Sequence, residues 1–173
     1  MADVGAIPVS EVGAILLAAF IAAFTAFWGI LTQRAIASRR ATLELIARSE
    51  TDRDMIAAQA TFIRLARTAD GLEKYAELRR EGWVETRRIK LVLNELEMIS
   101  IGIQRGMIDF ELYKRWNRSG VIRYWCYAEP FIVRLRQRTH NKALYHEFEQ
   151  MYKWMDSDKK HVPKRRRWWG KVL

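Results

Sequence analysis

This sequence is poor in the residues that staple or break a chain. Its 173 residues include one cysteine, Cys126, which excludes an internal disulfide and every cysteine-rich zinc site. A single thiol fits a reducing compartment. There are three prolines, Pro8, Pro130 and Pro163, and only nine glycines, so long helices meet few breakers. No alternating strand pattern of useful length appears. No Walker sequence, glycine-rich dinucleotide fingerprint or nucleophile elbow occurs. Between Val12 and Thr32 there is no charge at all.

That uncharged run, VGAILLAAFIAAFTAFWGILT, organises the chain. Thr25 and Thr32 are its only polar side chains, and each can bond back to a helix carbonyl. At about 1.5 Å of rise per residue the run spans roughly 31 Å, the depth of one hydrocarbon core. A core helix of a soluble protein would be shorter and would keep a polar face. The run is therefore read as a transmembrane helix. Asp3 and Glu11 precede it without any Lys or Arg, and Arg34, Arg39 and Arg40 follow it. Positive flanks stay in the cytoplasm, which predicts the N-terminus outside and the C-terminus inside a bacterial inner membrane. No basic stretch precedes the apolar run, so a retained anchor is expected rather than a cleaved signal. Ala14, Ala18, Ala22 and Ala26 recur every four residues as a small-residue stripe. Such stripes let helices approach in lipid, so these four are candidate packing residues for a partner helix or a second copy. Trp28 fits the interface.

The expected fold is all-α: one N-terminal transmembrane helix, then a compact cytoplasmic helical domain and a basic C-terminal tail. The segments are 1–11 outside, 12–32 in the membrane, 33–68 as a stalk or first domain helix, 69–156 as the domain and 157–173 as the tail. Residues 33–68 form either one continuous helix or two, with a break near Ser49 to Asp52 where Ser or Thr could cap the second. Leu43, Ile46 and Ala47 make a short apolar patch, and Met55, Ile56, Gln59, Phe62, Ile63 and Ala66 a helical stripe. Asp70-Gly71 reads as a turn, and Leu72 to Glu81 as a helix stopped by Gly82. The clearest soluble helix carries Ile89, Val92, Leu93, Leu96, Ile99 and Ile103 and stops at Gly106. Asp109 caps a short helix to about Asn117. Ser119-Gly120 reads as a turn, and the helix from Val121 is restarted or kinked by Pro130. Phe131, Ile132 and Leu135 face inward. After a His140-Asn141 loop, Lys142 to Met155 forms the last helix, burying Leu144, Tyr145, Phe148, Met151, Tyr152 and Met155.

Two stretches, LNELEMISIGIQRGMIDFELYKRW from Leu93 and FIVRLRQRTHNKALYHEFEQMYKW from Phe131, carry a family resemblance. The matching features are Asn94 and Glu95 leading an apolar helix, the Gly102 and Gly106 pair, the Ile108-Asp109 helix start and the closing Phe148 to Trp154 segment. With the N-terminal span, residues 85–155 resemble a bacterial and phage-associated family catalogued only as a domain of unknown function. The resemblance implies small single-span proteins with a helical cytoplasmic region, and brings no activity or catalytic residue.

Chemistry-bearing clusters are few. His140, His146 and His161 share no helix face, and His146-Glu147 lacks the second histidine of a zincin helix. No metal or other cofactor is expected. Cys126 lacks a base and reads as a small buried residue. Glu95, Glu97, Asp109 and Glu111 read as caps and surface ion pairs rather than an acid–base pair. Arg115, Trp116, Arg118, Arg123, Tyr124 and Trp125 interleave cations with aromatics, as core plus solvated face. Gly102 and Gly106 read as close packing and a stop. No catalytic residue is assigned, and an enzyme is not expected.

Net charge is +10, and seven cations from Lys159 onward account for most of it, leaving +3 for the rest. Lys164, Arg165, Arg166, Arg167, Trp168 and Trp169 are the candidate contacts of the tail. On the cytoplasmic leaflet they would meet anionic lipid, each cation contributing on the order of 1 kcal/mol. An acidic face of a protein partner, or nucleic acid, would suit the same residues. The sequence therefore predicts a non-enzymatic, single-pass accessory protein that binds or braces a membrane protein complex or self-associates. An effector in phage–host conflict and a membrane-tethered nucleic-acid binder are the alternatives.

Overall fold

A computed structural model describes residues 9–77 and 83–157, with side chains from residue 13. Among these residues there are five helices and no strand. The fold is all-α, as the pattern of the sequence predicts. The chain divides into two units, Met1–Ala37 and Ser38–Leu173.

Helix α1 runs Val9–Thr51 and α2 runs Arg53–Ala66. Of the two alternatives for this stretch, the structure takes the break, and it places the break at Asp52, whose ψ of 101° leaves the helical region. Asp52 itself caps α2, its Oδ1 accepting from the Asp54 and Met55 amides at 3.1 Å. Ser49 and Thr51 do not serve as caps. Their hydroxyls donate back to α1 carbonyls at Ile46, Ala47 and Arg48. A carboxylate also suits the positive end of the helix dipole better than a hydroxyl does.

In unit 2, α2 buries Met55, Ala58, Phe62 and Leu65, while Ile56 is turned out to solvent. The inward face therefore passes through Ala58 and Leu65 rather than Ile56. Leu43 is likewise exposed, and Thr42 beside it is fully buried. The Asp70-Gly71 turn forms, with Gly71 at φ 56°. The helix expected over Leu72 to Glu81 does not. One 3-10 turn, Glu73–Ala76, is followed by extended Glu77, and residues 78–82, with the expected stop at Gly82, lie outside the described part. Leu72 and Ala76 are still buried, because a single turn suffices to tuck both under the domain.

Helix α3, Trp83–Gln104, buries all six of its expected residues. It ends as anticipated at Gly106, φ 69°. The Met107 amide bonds to the Gly102 carbonyl at 2.9 Å and the Gly106 amide to Ile103 at 3.0 Å, which closes a Schellman motif. A Cβ on Gly102 would stand 2.7 Å from Ile108 Cδ1, so this glycine lets the returning chain lie against its own helix.

Helix α4, Phe110–Thr139, departs from expectation in its middle. Ser119-Gly120 is helical rather than a turn. The irregular residue is Asn117 (φ −131°, ψ 21°), and its side chain fills the place a Cβ on Gly120 would take. Pro130 neither restarts the helix nor takes it out of helical φ/ψ. It sits on the exposed side, where water can serve the carbonyl that its missing N–H leaves free. Cys126 is exposed, contrary to the buried reading. Trp125 and Ala128 take the inward positions, and a residue one step from Trp125 is carried about 100° round the axis.

Helix α5 is His146–Asp156, four residues shorter at its start than expected. His140 and Tyr145 both adopt left-handed backbone, so residues 140–145 form a compact turn. Phe148, Met151 and Met155 are fully buried. Trp125 meets Phe148 edge-on at 5.3 Å and stacks on Tyr152 at 5.5 Å, joining α4 to α5.

Candidate interaction surfaces

From Ala14 to Thr32 the α1 side chains form an exposed apolar rod. Ile15, Leu17, Phe20, Phe24 and Trp28 each expose more than half their surface. Its two polar groups are silenced within the helix. Thr25 Oγ1 donates to the Ile21 carbonyl at 2.8 Å and Thr32 Oγ1 to Trp28 at 3.0 Å. Ala14, Ala18, Ala22 and Ala26 all lie on this exposed rod. The helix is long and apolar enough to cross a membrane, and none of that surface is buried by the rest of the protein.

The character of α1 changes by Ser38. Thr42 is buried, and its hydroxyl both donates to the Ser38 carbonyl at 2.7 Å and accepts from the Asp109 amide at 2.8 Å. The Asp109 carboxylate accepts from the Leu112 amide at 3.0 Å, capping α4, and stands 3.5 Å from Arg39 Nε. Asp109 was legible as a cap. Thr42 was not, because its partner lies 67 residues away and nothing local marks it.

A second junction joins α3 to α5. Tyr145 makes no side-chain cap for α5. Glu97, from α3, supplies it instead, accepting from the Phe148 amide at 2.7 Å and the Glu147 amide at 3.3 Å. Burial pushes the Glu97 carboxyl above its usual range, and those two amides oppose the rise. Tyr145 donates to Asn94 Oδ1 at 3.2 Å, and burial, with the Glu97 charge adding, pushes its hydroxyl up to about 12. Gln104 donates to Glu147 alongside. Asn94 and Glu97 thus hold α5 in place.

A cavity of about 30 Å³ opens between the end of α1, α2, α3 and α4, lined by Ser49, Gln59, Glu95, Tyr113 and Asn117 among apolar residues. Burial pushes Tyr113 up to about 12, and the Asn117 amide, 3.4 Å from its hydroxyl, opposes this. The space suits about one water and is an order of magnitude below a substrate pocket. Among the described residues no three His, Cys, Asp or Glu side chains are grouped as metal ligands. Of the interleaved cations and aromatics, Tyr124 and Trp125 are core, Arg123 is exposed, and Arg118 donates to the Met155 carbonyl at 2.7 Å. The tail candidates Lys164, Arg165, Arg166, Arg167, Trp168 and Trp169 lie outside the described residues.

A family model described as Domain of unknown function (DUF4760) matches residues 14–155. No curated protein and no solved structure matches the chain.

Proposed function

The chain belongs to this family of unknown function, and from that premise we propose that it is a single-pass anchored interaction protein of a bacterial inner membrane, N-terminus outside, helical domain in the cytoplasm. The bare apolar rod of α1 carries the reading. In water that surface would cost about 25 cal/mol for each Å² left exposed, and a bilayer removes the cost. The family match supports it further. It starts at Ala14, inside the rod, and continues to Met155, so rod and domain recur as one unit. The match stops before the basic tail, which we read as an accessory lipid contact.

The domain works as a non-catalytic docking module, and the span holds it in the membrane plane, raising its effective concentration toward partners there. This accords with polar groups spent on holding helices together. Alkaline carbonate washing of native membranes tests the anchor, and release of the full-length protein into the wash would overturn it. A C-terminal fluorescent fusion that glows only in the cytoplasm tests the orientation. Mild-detergent purification with mass spectrometry tests the docking role, and recovery of the lone monomer would count against it.

A further inference from the structure

Helix α3 carries an apolar row that its own domain leaves open. Val84, Leu91 and Met98 are 62%, 43% and 66% exposed, and they recur every seven residues along one side of the helix. Charges flank the row in a fixed order. Glu85, Arg87, Arg88 and Lys90 give its N-terminal half a net charge of +2, and Glu95 and Glu97 give its C-terminal half −2. Among the described residues no ion pair joins Lys90 or Glu95 to another side chain.

We propose that this face docks on the same face of a second copy of the chain, with the two α3 helices antiparallel. The arrangement deepens the interaction reading above by naming the partner. A two-fold axis near Leu91 and Asn94 sets the basic half of one helix against the acidic half of the other. Arg88 then faces Glu95 of the second copy, and Lys90 faces its Glu97. Such self-complementarity is what an isologous interface requires. A parallel pairing would instead place Arg87 against Arg87. The basic tail is a poorer occupant, because its cations would meet Arg87, Arg88 and Lys90. Existing bonds survive the docking. Arg88 Nη1 donates to Thr61 Oγ1 at 2.9 Å, and a guanidinium keeps further N–H groups for a carboxylate. Glu97 holds two amides and has lone pairs left for an ammonium.

The test is the mass of the full-length protein in mild detergent, by light scattering corrected for bound detergent. The wild type is expected as a dimer. Leu91→Glu brings two acids together near the axis and should give a monomer with unchanged helical circular dichroism. Arg88→Glu should weaken the dimer at least about tenfold, and Arg88→Glu with Glu95→Arg should restore it. A wild-type monomer that still resists carbonate washing would overturn the pairing and leave the anchor reading standing. A dimer that persists in both Leu91→Glu and Arg88→Glu would also overturn it, since such a dimer is held elsewhere, as through the alanine stripe of α1.

Discussion

Residues 15–31 of α1, rich in Phe, Ile and Leu, and residues 148–155 of α5, rich in aromatics and Met, satisfy their apolar surface in opposite ways. In α5 the apolar residues form one face, and Phe148, Met151 and Met155 are completely enclosed by the domain. In α1 they surround the helix, and none is enclosed. A one-sided helix can be completed by its own chain. A helix apolar on every side needs a surrounding medium. The backbone bonds are the same in both, so placement of the side chains around the axis separates a domain helix from one apolar enough to cross a membrane.

Six changes would break or sharpen this contrast. The largest effect is expected from Phe148→Ala, which empties a core site against Trp125 and should cost about 3–5 kcal/mol. Thermal melting of the full-length protein in detergent should show the domain transition lowered, while carbonate resistance persists. The reverse dissociation is expected from Ile21→Arg near the middle of the rod. A central arginine costs roughly 2.5–3.5 kcal/mol of insertion, so the membrane-bound fraction should fall with the domain's melting unchanged.

Two threonines that look alike in sequence should then part company. Thr42→Val leaves the Asp109 amide without its acceptor and should cost about 1–3 kcal/mol by melting. Thr25→Val removes only a bond within the helix and should leave both melting and membrane attachment nearly unchanged.

The smallest effects are the pH dependences of two carboxylates at α5, which should have opposite signs. Glu97 holds its proton more tightly in the folded protein, because burial raises its pKa. Its contribution to stability therefore declines as pH rises from below the ordinary carboxylate value of about 4.3, and Glu97→Gln should gain on the wild type over that rise. Glu149 is held below the usual range by its bond to Lys153, with Arg136 adding. Its contribution is present above about 4.3 and lost as pH falls, so Glu149→Gln should trail the wild type at neutral pH and converge on it in acid. Melting curves for the three proteins between pH 3.5 and 7 would check both signs. Parallel profiles for the two variants would show that the two carboxylates do not differ as described.

Several local signals lead to the right element, while the Ser119-Gly120 turn and the Ser or Thr cap of α2 do not. The threonines of the rod bond back to their own helix, Asp109 caps α4, Gly106 stops α3, and Gly102 admits the returning chain, all within a few residues of the signal. Readings that needed the identity of a distant neighbour went astray. Leu72 to Glu77, the described part of a stretch with helix-forming residues, is one 3-10 turn and an extended residue. Pro130 reads as a breaker, yet an exposed face tolerates it, and the irregular residue is Asn117, whose side chain uses the space that Gly120 leaves. The sequence groups Glu97 with carboxylates for caps and surface ion pairs, without revealing that it caps a helix fifty residues further on.

The sequence by itself determined that this protein is helical, that residues 12–32 form an apolar segment long enough to cross a membrane, and which side of each soluble helix faces inward in the main. Those are properties of periodicity and local charge, written in side chains a few positions apart. Only the tertiary structure decided how the helices are joined: Thr42 onto the start of α4, Glu97 onto the start of α5, and the row of Val84, Leu91 and Met98 left open on α3. A buried amide must find an acceptor wherever the fold brings one, and an apolar row stays exposed only if no other helix comes to cover it.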